Sequence, residues 1–229
     1  YVLRLGENPS NVFLTGCPAI DLIADIDLSL RHDLLDPYTG VGAVLNPDLP
    51  YIVVLQHPVT TEYGEGFQQI SETLNAVQNI GNEGMQVVWL WPNVDAGSDD
   101  IAKGLRMFRE KYQPSYLHFY RNFSPEDYAI LINNCKCLVG NSSSGLRESA
   151  YLGVPSVNIG SRQQGRERAP NVIDVPHSAE LIESAIRYQL EHGPYESSLL
   201  LGDGTAGARI ANVLATADLS IQKRISYLD

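Results

Sequence analysis

The sequence predicts an α/β protein built on a doubly wound parallel sheet. Short apolar segments rich in valine, isoleucine and aromatic residues recur along the chain, with helical patterns between them. The segments are apolar on both faces, as strands are in a parallel sheet that helices cover on both sides. Alternation of strands and helices is the pattern of a doubly wound fold. The 229 residues suffice for one such domain with a substantial core and some peripheral structure.

Seven segments are predicted to be buried strands, and five segments helices. The predicted strands are 11–15, 51–56, 85–91, 116–120, 136–139, 155–159 and 172–175. The predicted helices are 67–80, 98–112, one that begins after Ser124, 178–192 and 205–217. Ser124 is followed by proline and two acids, which is a typical helix start. Residues 25–50, rich in aspartate and proline, are expected to be the least regular surface segment.

The net charge of −11 argues against nucleic acid or an anionic membrane surface as a partner. No apolar run reaches the roughly 18 residues of a membrane span, and the start does not resemble a signal peptide. Hydrophobic residues at 44% and charged residues at 19% are ordinary for a folded cytosolic protein, so a cytoplasmic location is expected. The chain begins without an initiator methionine, and we expect it to be a piece of a longer protein.

The three cysteines are Cys17, Cys135 and Cys137. Cys135 and Cys137 are expected to share one face of a strand, which leaves a metal pair open. Buried reduced thiols are the favoured interpretation, because no other cysteine or histidine cluster lies nearby in the sequence. Neither a metal nor a cofactor is predicted.

Four loops that follow predicted strands contain polar residues suited to a binding site. They are 57–61, 92–95, 121–123 and 140–145. In a parallel sheet these loops meet at the carboxyl edge, where ligands bind. We therefore expect the site at this edge.

The segment GNSSSG, residues 140–145, predicts an anion cradle where a strand passes into a helix that begins near Ser143. Free backbone N–H groups and the serine hydroxyls would hold a diphosphate, and Gly145 would allow close approach. Glu148, about one and a half turns into that helix, could accept hydrogen bonds from both hydroxyls of a ribose. A serine-capped helix with a solvated glutamate explains the same segment equally well.

Two further side chains are candidates for the phosphate. Arg162 lies in the loop after the predicted strand 155–159. This loop contains three arginines, although the chain as a whole is strongly negative. The planar guanidinium of Arg162 suits a diphosphate, and Arg162 is favoured over Arg166. His57 opens the polar loop after the strand YIVVLQ, and its imidazole could donate to a phosphate oxygen.

With these residues in view, the sequence resembles the hydrolysing UDP-N-acetylglucosamine 2-epimerases of the sialic-acid type. The resemblance rests on RLGE, VFLTGCP, YIVVLQHPVTTE, PNVDAGS, GNSSSGLRE, GVPSVNIGSRQQGRE and GDGTAGARI, which together cover nearly the whole chain. It implies the second Rossmann-like domain of a GT-B fold. Residues 1–18 would then enter from a missing N-terminal half, 11–217 would form the UDP-binding domain, and 218–229 a C-terminal tail.

The resemblance also implies roles for individual residues. His57, Ser142, Ser143 and Arg162 would contact the UDP diphosphate, Glu148 would hold the ribose, and the backbone of Asn122 and Phe123 would recognise the uracil. The third serine, Ser144, departs from the family pattern and leaves open which hydroxyl lies nearest the phosphate.

The implied reaction converts UDP-N-acetylglucosamine and water to N-acetylmannosamine and UDP, by anti-elimination of UDP and rehydration. The acid and base residues are expected in the other domain, so this chain would bind without turnover. The ligands would be UDP and UDP-N-acetylglucosamine or a related UDP-sugar, and the full-length form is expected to be a homo-oligomer. A GT-B glycosyltransferase donor domain and a non-catalytic nucleotide-sensing module remain alternatives.

Overall fold

The structure, a computed structural model, describes residues 1–218, 222, 225 and 226. Most of the predicted C-terminal tail, 218–229, thus lies outside the described residues. The chain forms two compact units. The sheet unit comprises Ile26–Leu200, and the terminal unit comprises Tyr1–Asp25 with Leu201–Asp229.

The sheet unit contains one seven-stranded sheet. Its strands are β1 (Gly40–Gly42), β2 (Tyr51–Leu55), β3 (Gln86–Leu90), β4 (Leu117–Tyr120), β5 (Leu138–Gly140), β6 (Ser156–Ile159) and β7 (Val172–Val175). They lie in the order β1-β4-β3-β2-β5-β6-β7, and every pair is parallel except β1 with β4. The six parallel strands thus have the 3-2-1-4-5-6 order of the Rossmann fold.

Four helices connect consecutive parallel strands from β2 to β6, and a fifth follows β7. The connecting helices are α2 (Gly66–Asn82), α3 (Ser98–Tyr112), α4 (Pro125–Asn134) and α5 (Glu148–Leu152), and the fifth is α6 (Ala179–His192). The helices α1 (Pro18–Asp25) and α7 (Ala206–Thr216) belong to the terminal unit. The cap predicted for α4 is confirmed, because Ser124 Oγ accepts the Asp127 N–H at 3.1 Å. For α6 the cap comes from another helix, since Glu72 Oε2 accepts the Ala179 N–H at 2.8 Å.

Alternate residues of the strands point to opposite faces of the sheet, and both faces are covered. On one face Val54 and Trp89 belong to a core that also includes side chains of α2, α3 and α6. On the other, Val53 and Val88 pack in a cluster with side chains of α4 and with Leu34. The prediction of a Rossmann-like doubly wound sheet is therefore confirmed.

Two strand predictions differ from the structure. Segment 11–15 is no strand, because Phe13 and Leu14 are 50% and 99% exposed and pair with no other strand among the described residues. Strand β1 was missed because GVG has low strand propensity. A side chain at Gly40 or Gly42 would place a Cβ atom 2.2–2.3 Å from a backbone oxygen of β4, so glycine is what allows this edge pairing.

The helix predicted to begin near Ser143 is also different. Ser143–Gly145 form a single 3-10 turn, and α5 begins only at Glu148. Glu148 therefore lies in the first turn of a helix and not one and a half turns inside it.

The cysteine prediction was correct about burial and wrong about the shared face. Cys135 and Cys137 are both buried and free, but they belong to the clusters on opposite sides of the sheet. Burial raises the pKa of the Cys135 thiol to about 12, so this thiol stays protonated at neutral pH.

In the terminal unit, Asp21 of α1 joins segments that are far apart in the sequence. Its carboxylate accepts the N–H groups of Ala206 and Gly207 at 3.0 and 2.6 Å. An acidic side chain at a helix start satisfies free donors and complements the helix dipole. None of the described helices has the length and apolar character needed to cross a membrane.

Candidate functional site

The polar loops converge where the strand order reverses. From β2 the chain proceeds to β3 and β4 on one side and then returns to β5 on the other, so that β2 and β5 are neighbours. In open α/β sheets, ligands bind at the carboxyl ends of the strands at this switch point. His57 follows β2, and Asn141 and Ser142 follow β5, which places all three at the crevice.

Asn141 joins the two strand ends. It is fully buried, and its side chain accepts the His57 N–H at 2.7 Å while donating to the His57 carbonyl oxygen at 2.9 Å. Its own carbonyl oxygen accepts hydrogen bonds from Arg162 Nη1 at 3.2 Å and Gln163 Nε2 at 2.7 Å. One asparagine thus positions the loops after β2, β5 and β6. Sequence reasoning missed Asn141, although it stands inside the GNSSSG motif.

The His57 ring is buried with a defined tautomer. Its Nδ1 accepts the backbone N–H of Asn93 at 3.0 Å, so the ring proton resides on Nε2. Burial, with a smaller contribution from the positive charge of Arg162, lowers the pKa of His57 to about 4, against an opposing effect of Asp95. His57 is therefore neutral at pH 7 and offers Nε2–H as a hydrogen-bond donor.

Arg162 brings a positive charge to the crevice. Its guanidinium lies 3.7 Å from the Asp95 carboxylate, and its side chain is about a quarter exposed. The preceding residue, Ser161, donates to Glu62, which also accepts from Gln69 Nε2 at 2.6 Å. Hydrogen bonds from Ser161 to Glu62 and from Arg162 to Asn141 thus hold this loop in place. The exposed face of the arginine remains available to an anion.

Within the serine turn, residues 142–145, Ser144 donates hydrogen bonds to Ser142. Ser142 Oγ accepts from the Ser144 N–H at 3.3 Å and from the Ser144 hydroxyl at 2.9 Å. Ser144 Oγ lies 2.7 Å from the Tyr128 hydroxyl and is itself buried. Because Ser142 already accepts twice, its own proton remains to be donated outward. Ser142 and Ser143 are the partly exposed serines, whereas Ser144 faces the protein.

The close approach that Gly145 allows is to the neighbouring strand. A Cβ atom at this position would lie 2.8 Å from Ser156 Oγ of β6. Gly140, at φ +132°, has the same kind of constraint, since its Cβ would lie 2.1 Å from the carbonyl oxygen of Leu55. Both glycines bring the serine turn close to the sheet.

Glu148 has one satisfied and one unsatisfied oxygen. Its side chain is 13% exposed, and Oε1 accepts from Arg147 Nη2 at 3.1 Å. Oε2 is buried and has no hydrogen-bond donor among the residues that the structure describes. Such an atom is unfavourable unless a donor reaches it. Hydroxyl groups of a ligand are donors of the required kind.

The loop between β4 and α4 lies beside the serine turn. Tyr128 in α4 contacts Ser144, which brings the start of α4 to the same edge of the sheet. In that loop Phe123 is buried with its ring 4.3 Å from Tyr38 and 5.2 Å from Tyr120, and Asn122 is exposed. Sequence analysis did not single out Tyr128, since no local pattern indicates that its hydroxyl meets Ser144.

No group of three or more metal-ligating side chains is suitably arranged within the described part of the chain. Hydrogen bonds join His57, Asn141 and Arg162 in one connected set. They join Ser142, Ser144 and Tyr128 in a second set, which begins at the residue after Asn141.

Comparison with known proteins gives a family. The model of the UDP-N-acetylglucosamine 2-epimerase family, Epimerase_2, matches residues 1–215. The chain belongs to this family. Within the UDP-N-acetylglucosamine 2-epimerase family, it is 37% identical over 175 residues to Polysialic acid biosynthesis protein P7 of Escherichia coli, covering 76% of this chain and 42% of that protein. It is 28% identical to the UDP-N,N'-diacetylbacillosamine 2-epimerase (hydrolyzing) of Legionella pneumophila, covering 96% of this chain and 56% of the relative.

A solved structure supports the fold. The UDP-GlcNAc 2-epimerase of Methanocaldococcus jannaschii, in complex with UDP-GlcNAc and UDP, superposes with a TM-score of 0.71 at 14% identity. The match covers 93% of this chain and 57% of that one. The chain thus spans about half the length of the epimerases that it matches.

Proposed function

We propose that this chain is the UDP-binding part of a hydrolysing UDP-N-acetylglucosamine 2-epimerase. The observation on which the proposal rests is the convergence of the neutral His57, Arg162 and the Ser142 hydroxyl at the β2–β5 switch point, beside a buried Glu148 oxygen that has no donor. Anion donors next to an unsatisfied carboxylate match a diphosphate joined to a ribose.

Each group has a distinct task in this proposal. His57 Nε2–H, the outward proton of Ser142, the Ser143 hydroxyl and the Arg162 guanidinium bind the diphosphate oxygens. Diphosphate binding displaces the long Arg162–Asp95 contact, which at 3.7 Å is weak enough to exchange. Glu148 Oε2 accepts the ribose hydroxyls, and the backbone of Asn122 and Phe123 binds the uracil edge.

The proposed reaction breaks the bond between C1 of the sugar and the diphosphate while a base removes the proton from C2. The electron pair of that C–H bond forms the C1–C2 double bond of a glycal, and UDP departs with the C–O electrons. Water then adds across the double bond to give N-acetylmannosamine. The donors around the diphosphate stabilise negative charge as UDP leaves.

The acid and base of this reaction are assigned to the part of the enzyme that this chain does not span. Glu62 and Asp95 stand near the site, but Glu62 is hydrogen-bonded to Ser161 and Gln69, and Asp95 faces Arg162. The proposed sugar is N-acetylglucosamine or a related diacetamido sugar, as in the names of the relatives. We assign the full-length enzyme to the cytoplasm as a homo-oligomer.

A calorimetric titration of the chain with UDP, UMP and CDP tests the binding proposal. UDP is expected to bind at least about ten-fold more tightly than either, as the loss of one phosphate or a mismatched base edge removes hydrogen bonds worth roughly 1.4 kcal/mol or more. Glu148→Ala should weaken UDP about 5- to 150-fold, which corresponds to about 1–3 kcal/mol.

The matched control is Glu191→Ala, an exposed glutamate of α6, which should leave UDP binding unchanged. Unaltered UDP affinity in both Glu148→Ala and Ser142→Ala would refute the assignment of the site. For the full-length enzyme, release of UDP and N-acetylmannosamine without an acceptor distinguishes the epimerase from a glycosyltransferase.

A further inference from the structure

The loop 121–123 after β4 is held in place by Tyr38, from the segment that the sequence predicted to be irregular surface. The Tyr38 hydroxyl accepts the Ser124 N–H at 3.0 Å and donates to Asp127 Oδ2 at 2.6 Å. Its ring packs at 4.3 Å against the ring of Phe123. One tyrosine therefore contacts the last residue of the loop and the first turn of α4.

These contacts close a ring of hydrogen bonds. Tyr38 donates to Asp127, the Asp127 N–H donates to Ser124 Oγ, and the Ser124 N–H donates back to Tyr38. Arg31 forms an ion pair with the other Asp127 oxygen. Turning the peptide between Phe123 and Ser124 would break the bond from the Ser124 N–H to Tyr38, so this ring holds the Phe123 C=O in one direction and anchors the end of the loop.

The fixed backbone presents unpaired groups. Neither the N–H nor the C=O of Asn122 or Phe123 has a hydrogen-bond partner among the residues that the structure describes. Phe123 is nevertheless buried as a residue. Buried backbone groups of native proteins are almost always paired, so the unpaired groups of Phe123, with those of the exposed Asn122 beside them, are available to a ligand with complementary donors and acceptors.

A pyrimidine edge has the complementary chemistry. Uracil offers an N–H donor at N3 and a carbonyl acceptor at O4, whereas cytosine offers an acceptor at N3 and an amino donor at N4. A rigid backbone that presents C=O and N–H in a fixed order pairs with one edge and repels the other. A loop free to turn its peptides would accept both.

We propose that Tyr38 determines the preference for uracil over cytosine, as a positioning residue that fixes the peptide groups of Asn122 and Phe123. The inference rests on the proposed UDP function and adds a specificity role for a residue outside the diphosphate and ribose contacts. Tyr38 itself touches no atom of the nucleotide in this scheme.

The test is the ratio of UDP to CDP affinity in Tyr38→Phe, measured by calorimetry. This variant keeps the ring against Phe123 and removes only the hydroxyl. UDP affinity is expected to fall about ten-fold, as for the loss of one ordered hydrogen bond, and CDP affinity to change much less. Inorganic diphosphate, which lacks the base, is expected to bind as in the wild type.

Tyr195→Phe is the matched control. It also removes only a tyrosine hydroxyl, which donates one hydrogen bond, to Gln189 Oε1 at 2.8 Å, and it should keep the wild-type UDP to CDP ratio. Asp127→Asn is a second variant for the case in which Tyr38→Phe does not fold. It weakens the same ring of hydrogen bonds and should lower the ratio to a smaller degree.

A wild-type ratio in Tyr38→Phe would overturn the inference and leave the UDP site intact. Equal losses for UDP and inorganic diphosphate would also overturn it, since they would indicate general loosening of the site. A wild-type protein that binds UDP no more tightly than CDP would refute both the inference and the proposed function.

Discussion

Replacing Asn141 by alanine should weaken the whole switch-point site through His57. The Asn141 side chain makes two hydrogen bonds, to the N–H and the C=O of His57, in a fully buried environment. Each backbone group left without a partner costs about 1–3 kcal/mol, so the free energy of unfolding should fall by about 2–6 kcal/mol. At about 2–4 °C per kcal/mol, the melting temperature should fall by roughly 4–24 °C.

The assay combines thermal unfolding with a UDP titration. The backbone carbonyl of Asn141 that accepts from Arg162 and Gln163 is unaffected by the substitution, so the loss should concern His57. UDP affinity is expected to fall about ten-fold, as one positioned donor to the diphosphate is lost. Asn79→Ala, which removes one hydrogen bond to Glu183 on the surface, is the matched control and should change neither quantity appreciably.

Two outcomes would refute this reasoning. A melting temperature within about 1 °C of the wild type would mean that the His57 backbone groups find other partners at little cost. A large loss of stability with unchanged UDP affinity would mean that His57 does not depend on Asn141 for its position, or does not contact the ligand.

Three further changes test other contacts. The pKa of His57 is about 4 in the folded protein, whereas the ordinary value for histidine is 6.5. Between these two pH values the unfolded state binds a proton at His57 that the folded state does not. The free energy of unfolding should therefore fall by about 3 kcal/mol as the pH drops from 6.5 to 4. His57→Gln should remove that part of the pH dependence in denaturant titrations. Glu72→Ala removes the cap of α6 and should lower stability by about 1 kcal/mol in chemical unfolding. Ser144→Ala leaves the buried Tyr128 hydroxyl without its partner and takes one donor from Ser142, so it should cost about 1–3 kcal/mol of stability and weaken UDP in calorimetry.

Each of these changes has a contrary outcome that is easy to recognise. A His57→Gln variant with the same slope of stability against pH as the wild type would contradict the buried neutral histidine. Glu191→Ala serves as the control for Glu72→Ala, and equal effects of the two would exclude a specific cap. Unchanged UDP binding in Ser144→Ala would show that Ser142 is oriented without its neighbour.

Much of the sheet was predictable because it depends on local patterns. The strands β2 to β7 follow from apolar runs, and α4 from the Ser124 cap, since these signals lie within a few residues. Strand β1 was not predictable in this way. Its glycines disfavour a strand locally, and they allow one here only because they let the backbone come close to β4. Segment 11–15 has the pattern of a strand but lies exposed without a pairing partner among the described strands.

The candidate site was likewise predictable only in part. The types and loop positions of His57, Ser142, Glu148 and Arg162 were recognisable from the sequence, because they follow strands and suit an anion and a ribose. The helix expected around Ser143 is instead a 3-10 turn that ends at Gly145, where a side chain would meet Ser156 of β6. The sequence did not indicate which serines face outward, because this depends on the contact between Ser144 and Tyr128 of α4.

By itself the sequence determined the α/β class, and it predicted a candidate site at the carboxyl edge with side chains suited to a nucleotide, because periodicity and loop chemistry depend on neighbouring residues. Only the tertiary structure decided that Asn141 positions His57 across two strands and that Tyr38 fixes a loop 86 residues away. Hydrogen bonds between distant segments depend on how the sheet and its helices pack, and no local pattern in the chain specifies which distant groups meet.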